Sequence, residues 1–373
     1  MADGISFTRT DEQSMLASTL REFLEATVDD DRTREMSTTD DSFDGPVWDG
    51  LRDMGLFGLH IPEAYGGAGF TTVEVGIVFE ELGRKVASVP LLSTALAATA
   101  ILEAGDDDLR QHWLPGLASG EMIGTLAMHE SAHDITVGGG ETSVVPDGDG
   151  WILDGAKRFV TDAVHADVFV VVAAVPDGMA LAVVPARAAG VEVVPTHALD
   201  ATRPIGEVRF TGVRLDSASV CVDAEAAVST AIDMGVVCLA CEQVGGAQWG
   251  LETSVAYAKT RFQFGRAIGS FQAVKHKCAD MLVAVEHAKS AAWHAAASFE
   301  DPEEAAIAIP VARSVCSDAA LAVAGETIQV LGGIGFTWEH AAHLYLKRAK
   351  STSLLFGSTG MWRDRLADAV GIR

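Results

Sequence analysis

Three kinds of residue in this 373-residue chain have types and spacings that could do chemistry: an arginine suited to phosphate, paired glycines, and a carboxylate set in an apolar run. Arg261 lies in Tyr257-Ala-Lys-Thr-Arg261-Phe-Gln-Phe264-Gly265, and its rigid fork of donors matches phosphate oxygens. Gly332 and Gly333 follow Gln329-Val-Leu, and the missing Cβ at each admits a bulky group against the backbone. Glu242 is flanked by Cys241, Val244, Gly245 and Ala247, an anomalous setting for a carboxylate. Two roles suit it there. A water-poor pocket raises a carboxyl pKa toward that of a general base, and a buried carboxylate can instead pair with a cation. Cys238-Leu-Ala-Cys241 and His340-Ala-Ala-His343 have ligand-like spacing but no further ligands beside them, so no metal site is expected. Gly66-Gly-Ala-Gly69 follows no strand and is not a dinucleotide fingerprint.

The elements that must position these residues change period twice along the chain. Thr10-Asp-Glu-Gln13 reads as a capping box before Ser14 to Val28, whose Met15, Leu16, Leu20, Phe23 and Leu24 share a helical face. Thr71-Thr-Val-Glu74 repeats the device before Val75 to Val86, and helices are expected near Ser93 to Ala104 and Asp107 to Leu117. From Met122 the pattern is of short strands: Met122–Met128, Trp151–Leu153, Val168–Ala174, Ala180–Val184, Val191–Val194 and Glu207–Phe210, separated by turns such as Pro176-Asp-Gly178. Long apolar-periodic segments then return at roughly 225–260, 271–299, 304–331 and 338–350, the pattern of a four-helix bundle. Three domains are expected: helical over 1–120, antiparallel β over 121–224, and helical over 225–373.

A formal charge of −25 and a pI near 4.7 argue against nucleic acid and anionic membranes as partners. A polyanionic substrate would need a local basic patch. The N-terminus has neither the basic nor the apolar region of a signal peptide, and no charge-free apolar stretch reaches 18 residues. A cytoplasmic location is the default expectation. Five scattered cysteines fit free thiols better than a disulfide framework.

Ordered motifs carry a resemblance. The run from Tyr257 through Arg261, Phe264-Gly265, Ile268, Phe271-Gln272 to Ala279-Asp280-Met281 resembles the Tyr-x-x-x-Arg-x-x-Phe-Gly-x-x-Ile-x-x-Phe-Gln…Ala-Asp-Met run of the acyl-CoA dehydrogenase family. Gln329-Val-Leu-Gly332-Gly333 resembles its Gln-x-x-Gly-Gly. Ile61-Pro62-Glu63-Ala64-Tyr65-Gly66-Gly67-Ala68-Gly69-Phe70 and Phe79-Glu80-Glu81-Leu82-Gly83 are similar to its N-terminal signatures, so the resemblance covers nearly the whole chain. It implies an α+β fold with an N-terminal helical domain, a middle antiparallel β-barrel-like domain and a C-terminal four-helix bundle. It also implies FAD, an acyl-CoA substrate from fatty acid or steroid side-chain β-oxidation, electron-transfer flavoprotein as acceptor, and a homo- or heterotetramer.

Residue by residue, the resemblance implies that Arg261 binds the FAD diphosphate and that Phe264, Gln272, Gln329, Gly332 and Gly333 are further FAD contacts. Phe159-Val160-Thr161 resembles a Trp-Ile-Thr strand whose ring and hydroxyl meet the flavin. Met128 and His129 stand where a flavin-contacting loop is expected, although His129 replaces a Thr and the Gly-Ser expected before Asp134 is missing. Ser358 stands for the Thr of a Glu-Gly-Thr segment, and Phe356, 27 positions after Gln329, stands for its proton-abstracting Glu. Some members carry that Glu on the first bundle helix, where this chain has Gly235. Glu242 lies two turns further on, about 10.5 Å of helical rise, and is the carboxylate that could share that face. Phe356 retains the backbone N–H that polarises the substrate thioester in the family.

The leading expectation is an FAD-dependent acyl-CoA dehydrogenase that oxidises a Cα–Cβ bond. A base-lacking partner subunit that binds FAD or acyl-CoA within a hetero-oligomer is the alternative, such pairs being found among bacterial steroid side-chain dehydrogenases. A third reading is other flavin chemistry.

Overall fold

The computed structural model describes residues 8–39, 42–131 and 140–372, so Ala132, His133 and Asp134 of the departing loop lie outside the described residues. Six helices come first: α1 (Asp11–Thr27), α2 (Asp30–Met36), α3 (Gly45–Asp53), α4 (Thr72–Gly83), α5 (Leu91–Ala104) and α6 (Asp107–Ala118). Among the described residues eight strands follow: β1 (Gly124–Ala127), β2 (Ser143–Asp147), β3 (Gly150–Thr161), β4 (Val168–Val175), β5 (Gly178–Pro185), β6 (Val191–Thr196), β7 (Ile205–Asp216) and β8 (Val220–Val222). The chain ends with α7 (Glu225–Thr260), a small hairpin of β9 (Phe262–Gln263) and β10 (Arg266–Ala267), then α8 (Gln272–Ala297), α9 (Pro302–Leu331), α10 (Ala342–Thr352) and α11 (Thr359–Ala369). This is the expected helical, β, helical order of an acyl-CoA dehydrogenase fold. Two compact units contain these elements, one made of Met1–Ser37, Thr72–Ala87 and Val236–Arg373, the other of Thr38–Thr71 and Ser88–Gly235.

In the first unit, α1 opens with the expected capping box, Thr10 and Gln13 each satisfying the other's backbone N–H. α4 and α7 cross almost backbone to backbone. A Cβ on Gly245 would lie 1.9 Å from the Glu80 carbonyl oxygen, and one on Gly83 would lie 2.1 Å from that of Glu242. Only glycine permits this approach, and it closes protein over residue 242. Tyr257 of α7 packs with Ile328 and Leu331 of α9, which brings the α7 end bearing Arg261 and the α9 end bearing Gln329 to one end of the bundle. α7 and the stretch Pro302–Phe336 are long and apolar enough to cross a membrane by length and composition, but 78% and 61% of their most apolar windows are buried. α11 joins the four expected helical segments. It buries Trp362 alone, so its apolar periodicity is faint.

The second unit is built on a sheet in the order β6-β7-β3-β2-β4-β5-β8, with β1 beside β4. Its core includes Val144, Leu153, Phe169, Val171, Val208 and Phe210. The expected antiparallel β-domain is present, with a correction at two pairings: β1 runs parallel to β4 from Gly124↔Val168 to Ala127↔Val171, and β2 meets β4 in parallel at Ser143↔Ala174. β2 escapes detection because Pro146 breaks its pattern. The strand tolerates that proline because β4 pairs with it only at Ser143, so no donor toward β4 is required further along.

Candidate functional site

In the first unit the turn around Phe356 is held by three hydrogen bonds from two side chains. Arg313 of α9 donates from Nη2 to the carbonyl oxygens of Leu355 (2.6 Å) and Gly357 (2.9 Å), while Trp362 Nε1 donates to that of Phe356 (2.8 Å). Phe356 takes a φ of 58°, uncommon for a bulky residue, and is 7% exposed. Its N–H has no hydrogen-bond partner among the described residues. Arg313 is 1% exposed, and burial pushes its pKa down to about 10. Ser358 is the N-cap of α11, its Oγ accepting from the Met361 N–H at 3.3 Å.

Glu242 lies elsewhere in that unit, 3% exposed, with Arg348 of α10 donating from Nη1 to its Oε1 at 2.6 Å. The cavity beside them is about 20 Å³ and is lined by Gly83, Gly246, Ala320, Tyr345 and Thr352 among others, room for roughly one water. Next to Glu242, Gln243 donates from Nε2 to Thr352 Oγ1 (3.0 Å), and Ser317 Oγ donates to Gln243 Oε1 (3.3 Å). Ser317 also accepts from Arg313 Nη1.

The expected phosphate and adenine contacts are presented on the surface of this unit. Arg261, Gln272 and Gln329 are exposed, and Phe264 is 91% exposed at the tip of the β9–β10 hairpin, its ring edge-on to Phe271 at 6.1 Å. Gly332 ends α9 with φ 66° and ψ −137°, a conformation that requires glycine, and a Cβ built on Gly333 would meet nothing within 4 Å. That open backbone adjoins the exposed Phe336 and Trp338, with Lys347 Nζ 4.6 Å from the Trp338 ring centre. Of the residues with ligand-like spacing, Cys241 is buried and its thiol is pushed well above the ordinary range, the wrong direction for a thiolate ligand. His340 Nδ1 accepts from the Ala342 N–H at 3.1 Å.

In the second unit, β3 carries an irregularity between Lys157 and Val160 that turns Phe159 outward with φ 54°. Thr161 follows, its carbonyl accepting from Thr125 Oγ1 at 2.7 Å. The Met128 and His129 carbonyls accept from Lys157 Nζ (3.2 Å) and the Arg158 N–H (2.7 Å). Lys157 also pairs with Glu130 at 2.6 Å, and Glu130 accepts from the Glu141 and Thr142 N–H groups. Burial alone would raise the Glu130 carboxyl, but the Lys157 ammonium and those N–H groups hold it below its usual range. This lysine–glutamate brace was not foreseen. Its one signal was a lysine inside an otherwise strand-like run.

Comparison with known proteins identifies the family. Three family profiles match in succession: acyl-CoA dehydrogenase N-terminal domain over residues 10–121, middle domain over 125–213 and C-terminal domain over 225–371. The chain belongs to the acyl-CoA dehydrogenase family, FAD-dependent oxidoreductases. It is 39% identical over 323 residues to acyl-CoA dehydrogenase FadE34 of Mycobacterium tuberculosis, a match that takes in 86% of this chain but only 41% of that relative. A chain of the ChsE4–ChsE5 complex from Mycobacterium tuberculosis is similar in structure, with a TM-score of 0.88, 30% identity and 99% of both chains covered. A chain of a Tcur3481–Tcur3483 steroid ACAD variant has a TM-score of 0.88 and 32% identity over 97% of this chain and 98% of that one.

Proposed function

We propose that this chain is the base-lacking subunit of a hetero-oligomeric FAD-dependent acyl-CoA dehydrogenase that oxidises the Cα–Cβ bond of a bulky, steroid-type acyl-CoA and passes electrons to an electron-transfer flavoprotein. The observation that carries this reading is the pairing of Glu242 with Arg348 at 2.6 Å. A carboxylate taken up by a buried guanidinium serves as that cation's partner rather than being presented to a substrate. Phe356, at the family's base position, has no ionisable group. The two solved relatives are a two-component complex and a paired steroid ACAD by name, and the steroid class is taken from the second.

The residues present suit FAD. Arg261, Gln272 and Gln329, with the open backbone at Gly333, would hold the diphosphate and adenine part; Phe159, Thr161, Met128 and His129 would face the flavin ring. When bound, FAD supplies the two-electron acceptor. This chain's own contribution to a thioester is the Phe356 N–H, which has no hydrogen-bond partner among the described residues and is a donor for the substrate carbonyl. Proton abstraction would fall to a Glu-bearing paralogue in its own site.

Co-expression with such a paralogue tests the reading. Copurification, and acyl-CoA oxidation that requires both chains, is the expected result. Steady turnover by a homo-oligomer of this chain would overturn it and return the lone-chain dehydrogenase to first place.

A further inference from the structure

We propose that Arg313 is a positioning residue that polarises the N–H offered to the substrate carbonyl, acting through the peptide bond between Leu355 and Phe356. This rests on the reading above, in which the Phe356 N–H receives the thioester oxygen. Arg313 Nη2 donates to the Leu355 carbonyl oxygen at 2.6 Å, and that carbonyl belongs to the same peptide group as the Phe356 N–H. Electron density drawn toward the carbonyl oxygen leaves the N–H more positive, and hydrogen bonds in such a chain strengthen one another by ~10–30% per bond. A donor aimed at an oxygen that gains negative charge is worth most where water is excluded.

Three further observations separate this guanidinium from an ordinary structural ion pair. It is 1% exposed, and among the described residues its hydrogen bonds are to two carbonyl oxygens and the Ser317 hydroxyl, none of them a carboxylate. Its Nε is buried without a hydrogen-bond partner. Beyond it the bonds continue inward: Arg313 donates to Ser317, Ser317 and the Gln243 amide each donate to the other, Gln243 donates to Thr352, and Thr352 to the Arg348 carbonyl at 2.9 Å. Ser317 holds the Nη1 arm of the guanidinium, and Nη2 is left toward the turn. The same nitrogen's bond to Gly357 and the Trp362 bond to Phe356 keep the turn at its positive φ.

The test is isotope-edited infrared difference spectroscopy of an enoyl-CoA labelled with ¹³C at its carbonyl, bound to the full chain loaded with FAD. Wild type should shift the carbonyl stretch to lower frequency. Arg313→Met should reduce that shift by roughly a quarter, in line with the ~10–30% a neighbouring bond contributes. Trp362→Phe removes a bond that holds the same turn but belongs to the next peptide group, not to the one that carries the Phe356 N–H, and should reduce the shift less than Arg313→Met does. Equal losses in both variants would mean a merely structural role and overturn the proposal, as would an unchanged shift in Arg313→Met. Should Arg313→Met fail to fold, Arg313→Gln decides, since a neutral amide removes the charge and a shift equal to wild type would refute the proposal. A wild-type chain that binds the enoyl-CoA with no shift removes this proposal alone; one that binds neither FAD nor enoyl-CoA removes the functional reading with it.

Discussion

Glu242 and Arg348 lie 106 residues apart in sequence and meet at 2.6 Å with both side chains buried, under a helix crossing that only Gly83 and Gly245 permit. A buried pair of this kind is costly to break on one side and much less costly to replace whole. Arg348→Met should therefore destabilise the chain by about 3–5 kcal/mol in denaturant melts, and adding Glu242→Leu should recover most of that loss. Equal stability of wild type and the single variant would show that the pair is solvated and that Glu242 is free for other work.

Arg261→Ala addresses the cofactor. Because Arg261 is exposed, the variant should keep the wild-type circular dichroism and melting temperature. Loss of one charge-assisted contact, worth about 1.5–3 kcal/mol, should weaken FAD binding roughly 10- to 100-fold in equilibrium dialysis. Unaltered FAD content would place the diphosphate elsewhere.

His60 provides a pH test in the second unit. Burial pushes its pKa down to about 4 from 6.5, and its Nε2 lies 3.2 Å from Thr99 Oγ1. A group whose folded pKa is depressed binds its proton more readily when unfolded, so its stabilising contribution is complete above 6.5 and declines as pH falls toward 4. His60→Gln should flatten the acid limb of the stability profile in that window. An identical limb in the variant would assign the acid sensitivity to other groups.

Much of this organisation was legible locally. The Thr10–Gln13 box needs only three residues of separation, and the Arg261, Phe264, Gln272 and Gln329 motifs lie on element ends whose type follows from periodicity. What stayed hidden depends on long-range approach. Arg313 sits in an apolar helix and reaches a carbonyl 42 residues on, and nothing near it in sequence identifies that target. The parallel pairing of β1 with β4 depends on register rather than composition, and β2 was concealed by Pro146. Glu242 was visible as an anomaly, and choosing between base and ion pair required knowing where Arg348 lies.

Phe356→Glu asks whether the turn is otherwise competent. The site is already buried and its φ is already accommodated, so a carboxylate there would be desolvated and raised toward a useful basicity. Flavin reduction by acyl-CoA should rise by at least about a hundredfold over wild type, the low end of general-base contributions. No gain with FAD bound would implicate the loop around His129 in a second defect of substrate placement.

Anaerobic titration of the purified wild-type chain, loaded with FAD, against fatty, branched and steroid acyl-CoAs tests the absence of a base most directly. A flavin spectrum that is perturbed by binding yet stays oxidised is the expected result. Bleaching of the flavin by any of these acyl-CoAs, without a second protein chain, would contradict it.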